Sequence, residues 1–461
     1  LLAFHGYEFV RDYYRNMAQV QPDEINSLAG GIYRNAAFVP VVTAPYPEKA
    51  AADTVAQSEE VLRDTLGNGL EYIILPGAGS GVFAAHFLFK NRSLNEPEGQ
   101  AGLADFLHRA LLEGTESRDA EALKSEMNRL GINIETGDNP WIPFDDYRTT
   151  PEFSFIRMEA MEDNWEAALR LTADIVKEPA LGDEEISTAR RTMMMVQGQT
   201  QKPREQARSL FLQNLLGDNV LAMSVSGAPG SAARTVPQSL QDFHREYFAP
   251  DNIILTVVAD VPAEKVAAEI QNLFRDMQPS GINPRPNPEP EPQPGEYTEE
   301  TGAEQAQIYL GYLIEDLPEE DRAPLVIANA ILSDRLQMEL RETQGLAYSV
   351  GSAVALEDDW GYLYAYIGTR PENIDKALKG IKDEIEAAAK ADYTDKDVTK
   401  AVNSYLSRRN MRLLKAVNRA SYAGIYAFKG KPLNYSEQWS QALKNVTKED
   451  VWGVSKEYFK T

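Results

Sequence analysis

The sequence predicts an α+β protein built from two similar modules that a proline-rich linker joins. Its 461 residues exceed the roughly 250–300 residues at which single hydrophobic cores stop growing, so more than one domain is expected. Between residues 279 and 294 the chain carries seven prolines, a composition that favours extended polyproline II structure and a semi-rigid spacer. We therefore predict a first module over residues 62–278, a linker over residues 279–295 and a second module over residues 296–461.

Strand and helix patterns alternate in both predicted modules. In the first, apolar runs and amphipathic spacing predict strands at 72–75, 82–89 and 253–258 and helices at 165–176 and 263–274. In the second, the same signals predict strands at 307–312, 348–355 and 361–368 and helices at 323–332, 371–389 and 396–414. Aromatic and small residues alternate over residues 360–366, which is typical of a half-buried strand.

Composition and charge exclude several classes of protein. The hydrophobic fraction of 43% supports packed cores, and no apolar run approaches the roughly 20 residues of a membrane-spanning helix. The net charge of −24 argues against a nucleic-acid partner, because phosphates select for basic surfaces. The absence of cysteine excludes disulfides, cysteine zinc sites and thiol nucleophiles. It does not decide the compartment, which stays unknown, with the bacterial periplasm favoured over the cytoplasm.

One stretch carries most of the functional information. Residues 102–115 read Gly-Leu-Ala-Asp-Phe-Leu-His-Arg-Ala-Leu-Leu-Glu-Gly-Thr and resemble the zinc-binding helix of the pitrilysin/insulinase family of metallopeptidases. In that helix the motif is H-x-x-E-H, in which two histidines bind zinc and the glutamate polarises the bound water. Here the three motif positions hold Asp105, His108 and Arg109. Because no pair of imidazoles remains and Arg109 would place a fixed positive charge where the dication should lie, we expect no metal in this chain.

The resemblance extends over nearly the whole chain. Three more stretches match the family in order and spacing, namely residues 66–75, residues 130–133 with 145–147, and residues 247–258. The resemblance implies two pitrilysin-type modules, each a mostly antiparallel sheet packed with helices. It also implies a third zinc ligand, a glutamate on a later helix, whose position falls near Ala189; a shifted register would bring Glu185 onto it instead.

The second module keeps a feature that the first has lost. Residues 331–350 resemble the family segment that brings an arginine and a tyrosine to the active site from the half lacking zinc, and the two positions here are Arg341 and Tyr348. A guanidinium and a phenol can donate to an oxyanion that forms beside the zinc, or grip the substrate backbone. The alternative is structural: a buried tyrosine at the start of a strand and an arginine that caps a helix end.

Related helices recur along the chain and indicate repeated modules. The Glu-Tyr-Phe ending of residues 240–248 returns at residues 457–459, and residues 13–42 also read as a helix followed by a strand. We therefore expect residues 1–45 to be the C-terminal tail of a preceding module of the same family. The chain would then be the zinc-lacking C-terminal half of a longer peptidase, and a separate subunit with an N-terminal extension is the alternative.

Two functions of different classes follow from the resemblance. The first is the non-zinc half of a zinc metalloendopeptidase, which helps to enclose unfolded peptides and supplies Arg341 and Tyr348 to a site whose zinc lies on a partner half. This half would be inactive alone. The second is a non-catalytic scaffold or a substrate-binding subunit of a similar assembly. The arginine and the tyrosine have the same spacing as in the family. A scaffold has no reason to keep that spacing, so it favours the first function.

Overall fold

A computed structural model describes Arg15 and residues 19–24, 61–137, 149–199, 202–391 and 393–460. By its internal contacts the chain divides into two units, Leu1–Ser58 and Glu59–Thr461, and the fold described below is that of the second unit. The predicted tail at residues 1–45 lies almost entirely outside the described residues, as do residues 145–147 of the resemblance.

The first module contains a six-stranded sheet with strand order β1-β2-β8-β3-β7-β6. Neighbouring strands are antiparallel except for β2 and β8, which are parallel. Nearly every residue of the central strand β3 is buried, because the sheet is covered on both faces. The strands are β1 (Leu62–Thr65), β2 (Glu71–Pro76), β3 (Val82–Lys90), β6 (Asn133–Glu135), β7 (Phe153–Met161) and β8 (Ile253–Ala259), with a small hairpin of β4 (Gly114–Thr115) and β5 (Arg118–Asp119).

The helices of this module pack mainly on one face of the sheet. Phe83, Phe87 and Leu255 from the strands join Phe106, Leu169 and Phe274 from the helices in one buried core. The helices are α1 (Arg92–Asn95), α2 (Leu103–Ala110), α3 (Ala120–Leu130), α4 (Trp165–Lys177), α5 (Asp183–Gln199), α6 (Pro203–Leu216), α7 (Ser231–Arg234), α8 (Pro237–Tyr247) and α9 (Ala263–Phe274).

The second module has a three-stranded antiparallel sheet in the order β10-β11-β9. Its apolar face packs with helices around Leu363, Ile367 and Leu332, in a core separate from that of the first module. The strands are β9 (Ala306–Ile314), β10 (Ser349–Leu356) and β11 (Gly361–Thr369), and the helices are α10 (Glu319–Leu336), α11 (Ile374–Ala389), α12 (Asp395–Arg412), α13 (Ala416–Phe428), α14 (Tyr435–Lys444) and α15 (Lys448–Tyr458). This is the predicted α+β class with two similar modules.

The modules exchange one helix each. Helix α13 of the second module covers the other face of the first sheet, where Val417 and Ala420 pack with Ile73 and Leu88. Helix α6 of the first module lies on the second sheet, where the ring of Phe211 stacks on Tyr309 at 5.8 Å. Each sheet therefore buries its second face only when both modules are present.

The proline-rich linker is docked rather than free. Residues 275–305 contain no helix or strand. The Arg285 side chain donates to the carbonyl oxygen of Ser93 (2.8 Å), and the Gln293 amide donates to the carbonyl oxygen of Asn214 at the end of α6 (2.7 Å). These contacts hold the linker against the first module. Among the described residues, no helix is both long enough and apolar enough to cross a membrane.

The contact between α13 and the first sheet contains polar groups with no hydrogen-bond partner among the described residues. Both ring nitrogens of His86 and the hydroxyl of Thr256 are such groups, and both residues are fully buried. Gly424 of α13 lies over them, since a Cβ at this position would come within 3.1 Å of the Thr256 hydroxyl. The absence of a side chain at residue 424 thus lets the exchanged helix approach the sheet.

We expect Thr256→Val to raise the free energy of unfolding, measured in urea, by about 1 kcal/mol. Valine has nearly the same shape as threonine, and the substitution removes an unpaired buried hydroxyl. The matched control is Thr172→Val. Thr172 is equally buried, but its hydroxyl donates to the Ala168 carbonyl (2.8 Å), so its loss should cost about 1 kcal/mol. Destabilisation of similar size in both variants would contradict the assignment of Thr256 as unpaired.

Candidate active site

Helix α2, which carries the degenerate zinc motif, begins at a tightly packed glycine. Gly102 adopts φ +93°, and a Cβ there would lie 2.6 Å from the Ser226 carbonyl oxygen, so only glycine fits. The buried Glu96 carboxylate accepts hydrogen bonds from the backbone amides of Gly102 (3.1 Å) and Ala104 (2.9 Å). This carboxylate therefore takes the role of an N-cap for α2. Burial raises the pKa of Glu96 to about 7, although the two amides and nearby Arg92 oppose the rise.

The first and last motif positions pair with each other. The Asp105 carboxylate lies 3.2 Å from Nη2 of Arg109, one helical turn on, and 3.3 Å from Nη2 of Arg92, which follows β3. Asp105 and Arg92 are almost fully buried. Two guanidinium groups thus surround the position where the family motif has its first histidine. A divalent cation in the same place would meet strong repulsion from both.

The middle motif position is part of a buried hydrogen-bonded chain. His108 Nε2 lies 2.7 Å from the Ser154 hydroxyl of β7, which lies 2.9 Å from the Tyr247 hydroxyl of α8. Tyr247 in turn donates to the Phe89 carbonyl oxygen of β3 (3.1 Å). Burial, reinforced by Arg92, holds the pKa of His108 well below its ordinary value, and burial raises the pKa of Tyr247. His108 is therefore a neutral group that ties α2 to the sheet.

The position assigned to the third zinc ligand has no ligating atom. Ala189 is fully buried in α5, which packs against α2. Glu184 is exposed and Glu185 is half-buried near the start of the same helix. Glu185 acts electrostatically on Glu113, since its charge contributes, after burial, to raising the pKa of Glu113.

The residues of this site do not fit zinc. A salt bridge occupies two motif positions, a core hydrogen-bonded chain takes the third, and a methyl group stands at Ala189. Within the described parts of the chain, no group of three or more histidine, aspartate or glutamate side chains is arranged to hold a metal. Sequence reasoning missed Arg92, Glu96, Ser154 and Tyr247. Ser154 and Tyr247 reach the site from segments far apart in the chain, whereas Arg92 and Glu96 stand shortly before α2 and bind it directly.

Arg341 and Tyr348 lie at the surface of the second module. Arg341 belongs to a π-helical turn (Gln337–Thr343) that follows α10, with its side chain 53% exposed and its Nε 3.5 Å from Glu342. Tyr348 directly precedes β10, and its backbone amide donates to the Gly368 carbonyl (3.3 Å), while its side chain is 66% exposed. The structural alternative of a buried tyrosine is therefore wrong, since the phenol faces solvent. Of the four degenerate positions, Asp105, His108 and Ala189 are buried in the first module and Arg109 is partly exposed, whereas this pair lies at the second module's surface.

Comparison with known proteins identifies the family to which this chain belongs. Fold and site together define a two-module α+β protein of peptidase type. Its helix α2 occupies the place of the zinc-binding helix but carries no set of zinc ligands. Residues 85–227 match the profile of the insulinase family, peptidase family M16, and residues 235–405 match the profile described as the peptidase M16 inactive domain. The chain belongs to this family, the pitrilysin/insulinase peptidases.

Relatives and solved structures agree with this assignment. An uncharacterized zinc protease of Streptomyces coelicolor is 25% identical over 359 residues, which cover 74% of this chain and 75% of the relative. Another from Mycobacterium tuberculosis is 24% identical over 426 residues, covering 89% and 93%. A protease from Helicobacter pylori has a similar fold (TM-score 0.73, 20% identity), with 87% of this chain and 97% of that chain covered.

One similar structure is about twice as long as the aligned region. The periplasmic protease PqqL from Escherichia coli aligns with a TM-score of 0.70 and 15% identity over 95% of this chain but only 49% of its own. At this level of identity the likeness concerns the fold alone.

Proposed function

We propose that this chain is the non-zinc half of a pitrilysin-like zinc metalloendopeptidase. The zinc lies on a partner half, and the two halves together enclose unfolded peptides. The observation that carries the proposal is the contrast between two sets of residues. The zinc positions of the first module are filled by a salt bridge and a core hydrogen bond. Arg341 and Tyr348 instead present a guanidinium and a phenol to solvent.

In this role the chain's own residues bind and orient. The Arg341 guanidinium and the Tyr348 hydroxyl are hydrogen-bond donors held on a packed module, where they can grip a peptide carbonyl or the oxyanion that develops from it. The buried contacts of Leu340 and Leu346, with the hydrogen bond from the Leu346 amide to the Leu340 carbonyl (2.8 Å), fix the loop between the two residues. A loop fixed in this way limits the reorganisation that the two donors need when charge develops on the substrate.

The test is reconstitution with a zinc-bearing pitrilysin-type half. Zinc content and peptide hydrolysis are measured for this chain alone and for the mixture, and we expect both only in the mixture. Arg341→Ala and Tyr348→Phe should each lower kcat/KM of the mixture by about 10²-fold, the usual cost of losing an oxyanion donor. The exposed residues Arg408 and Tyr297 provide matched control substitutions, Arg408→Ala and Tyr297→Phe, which should leave turnover unchanged.

Two outcomes would contradict the proposal. Unchanged turnover in both Arg341→Ala and Tyr348→Phe would assign the chain to the scaffold or substrate-binding class. Stoichiometric zinc and hydrolysis by the chain alone would show that Asp105, His108 and Arg109 are not a degenerate site.

A further inference from the structure

The segment that carries Arg341 and Tyr348 includes a turn that lies mostly at the surface. Arg341 belongs to the π-helical turn at the end of α10, in which the Gln344 amide donates to the Glu339 carbonyl (3.0 Å). Such turns are rare, occur as single turns and are frequent at functional sites. Residues 341–345 are all exposed. The placement of the Arg341 guanidinium therefore depends on how this turn is anchored to the rest of the module.

Two buried leucines anchor the segment. Leu340 is the buried residue of the π-helical turn, and Leu346 is the buried residue between Arg341 and Tyr348. The Leu346 amide donates to the Leu340 carbonyl (2.8 Å), which closes the loop between them. Each of the two exposed side chains therefore follows a buried, hydrogen-bonded leucine by one or two residues.

The end of β11 holds this loop from outside. The Thr369 hydroxyl donates to the Leu346 carbonyl, 23 positions earlier (2.6 Å), and Thr369 is fully buried. The preceding residue, Gly368, accepts from the Tyr348 amide (3.3 Å). Strand β11 is the central strand of its sheet, so β9 and β10 fix its backbone from both sides. Leu346 is thus held at its amide and at its carbonyl, and the second of these contacts comes from a side chain.

We propose that Thr369 is a positioning residue for Arg341 and Tyr348. The inference rests on the proposed function, because it names the group that holds the two donors in place. Two successive hydrogen bonds, from Thr369 to Leu346 and from Leu346 to Leu340, join the hydroxyl to the residue beside Arg341. Without the hydroxyl, the Leu346 carbonyl loses a donor inside the module. The loop must then shift to reach water or leave a buried polar group unpaired, which is unfavourable.

A shift of this loop bears on chemistry because oxyanion donors act over short distances. They need to lie about 2.7–3.1 Å from the developing charge. Misplacement of a catalytic group by about 1 Å can cost roughly 10²-fold in rate. Since Leu346 lies between Arg341 and Tyr348, movement of its backbone displaces both donors.

The experiment measures kcat/KM of the mixture with the zinc-bearing half. Thr369→Val keeps the shape of the side chain and removes the hydroxyl, so it should lower kcat/KM by at least about tenfold. Thr369→Ser keeps the hydroxyl and should retain wild-type turnover. The matched control is Thr172→Val. The Thr172 hydroxyl is equally buried and also donates to a backbone carbonyl, but it lies in α4 of the first module, so its loss should leave kcat/KM unchanged.

A combined variant shows whether Thr369 acts through the two donors. When Arg341→Ala and Tyr348→Phe are already present, Thr369→Val should cause little further loss of kcat/KM, because the groups that it positions are gone. A further tenfold loss in this background would mean that Thr369 affects turnover by another route, and it would overturn the proposal.

Hydrogen exchange of this chain alone tests the contact without turnover. The amides of Leu346 and Tyr348 are both hydrogen-bonded, so Thr369→Val should speed their exchange by about tenfold, whereas Thr172→Val should not. Unchanged exchange in Thr369→Val overturns the proposal whatever the turnover. Faster exchange with normal turnover also overturns it when Arg341→Ala and Tyr348→Phe lower turnover. If those two variants are fully active, the proposed function itself fails, and the positioning role fails with it.

Discussion

Asp105→Ala is expected to destabilise the protein by about 3–5 kcal/mol, the typical cost of breaking a buried ion pair by removing one partner. Asp105 lies between the guanidinium groups of Arg92 (3.3 Å) and Arg109 (3.2 Å). Removal of the carboxylate leaves the almost fully buried Arg92 without its counter-charge in a low-dielectric core. The measurement is the free energy of unfolding in urea at pH 7.

A surface pair of the same helical spacing provides the control. Lys379 and Asp383 also form an i,i+4 salt bridge, but both side chains are more than half exposed. Asp383→Ala should therefore cost no more than about 0.5 kcal/mol. Arg109→Ala should fall between the two, because Asp105 keeps Arg92 as a partner and Arg109 is partly exposed. If Asp105→Ala cost as little as Asp383→Ala, the motif positions would not be held by a buried ion pair.

Local periodicity was sufficient to predict several of the regular elements. The helix predicted at residues 263–274 coincides with α9, and the strand predicted at 361–368 ends one residue before the end of β11. In these segments the apolar residues all face one core. Their spacing therefore indicates whether the backbone is a helix or a strand. The degeneracy of the zinc motif was equally visible, because motif identity depends on residue type alone.

The exchange of helices could not be predicted from the sequence. Helix α6 covers a sheet of the other module, and its partner residues, such as Tyr309 and Tyr364, lie about a hundred or more positions away. The pairing of β2 with β8 likewise joins residues separated by most of the first module. Periodicity shows that one face of a helix or strand is apolar, but it does not show which other surface will cover that face.

The groups around α2 escaped prediction for a related reason. Tyr247 was visible as part of a repeated Glu-Tyr-Phe ending, yet its contact with Ser154 and the proximity of that serine to His108 arise only when three segments meet. Arg92 and Glu96 carried a weaker signal, since charged residues between a buried strand and an apolar helix need partners when they are buried.

Acidification is expected to unfold the protein partly through His86. Burial, with help from Arg157, lowers the pKa of this imidazole to about 3, whereas in the unfolded chain it should be near 6.5. The unfolded state therefore binds one more proton between these two values, and the stability that His86 contributes above pH 6.5 is lost as pH falls towards 3. Between pH 6.5 and 4 this single group should remove about 3 kcal/mol from the free energy of unfolding.

Other groups add to this dependence or oppose it, so the prediction concerns a difference between variants. The lowered pKa values of His108 and His244 act in the same direction as that of His86. Glu96, whose pKa is raised to about 7, acts in the opposite direction, because its folded form holds a proton that the unfolded form releases above about pH 4.5.

The comparison that isolates His86 is the slope of unfolding free energy against pH in the wild-type chain and in His86→Leu. The wild-type slope should be steeper by about 1.4 kcal/mol per pH unit between pH 6 and 4, the value for one proton. Thr256→Val alters the same contact without a titrating group, so it should keep the wild-type slope. Equal slopes for wild type and His86→Leu would mean that His86 is hydrated, and the packing of α13 over it would then be looser than the contact of Gly424 requires.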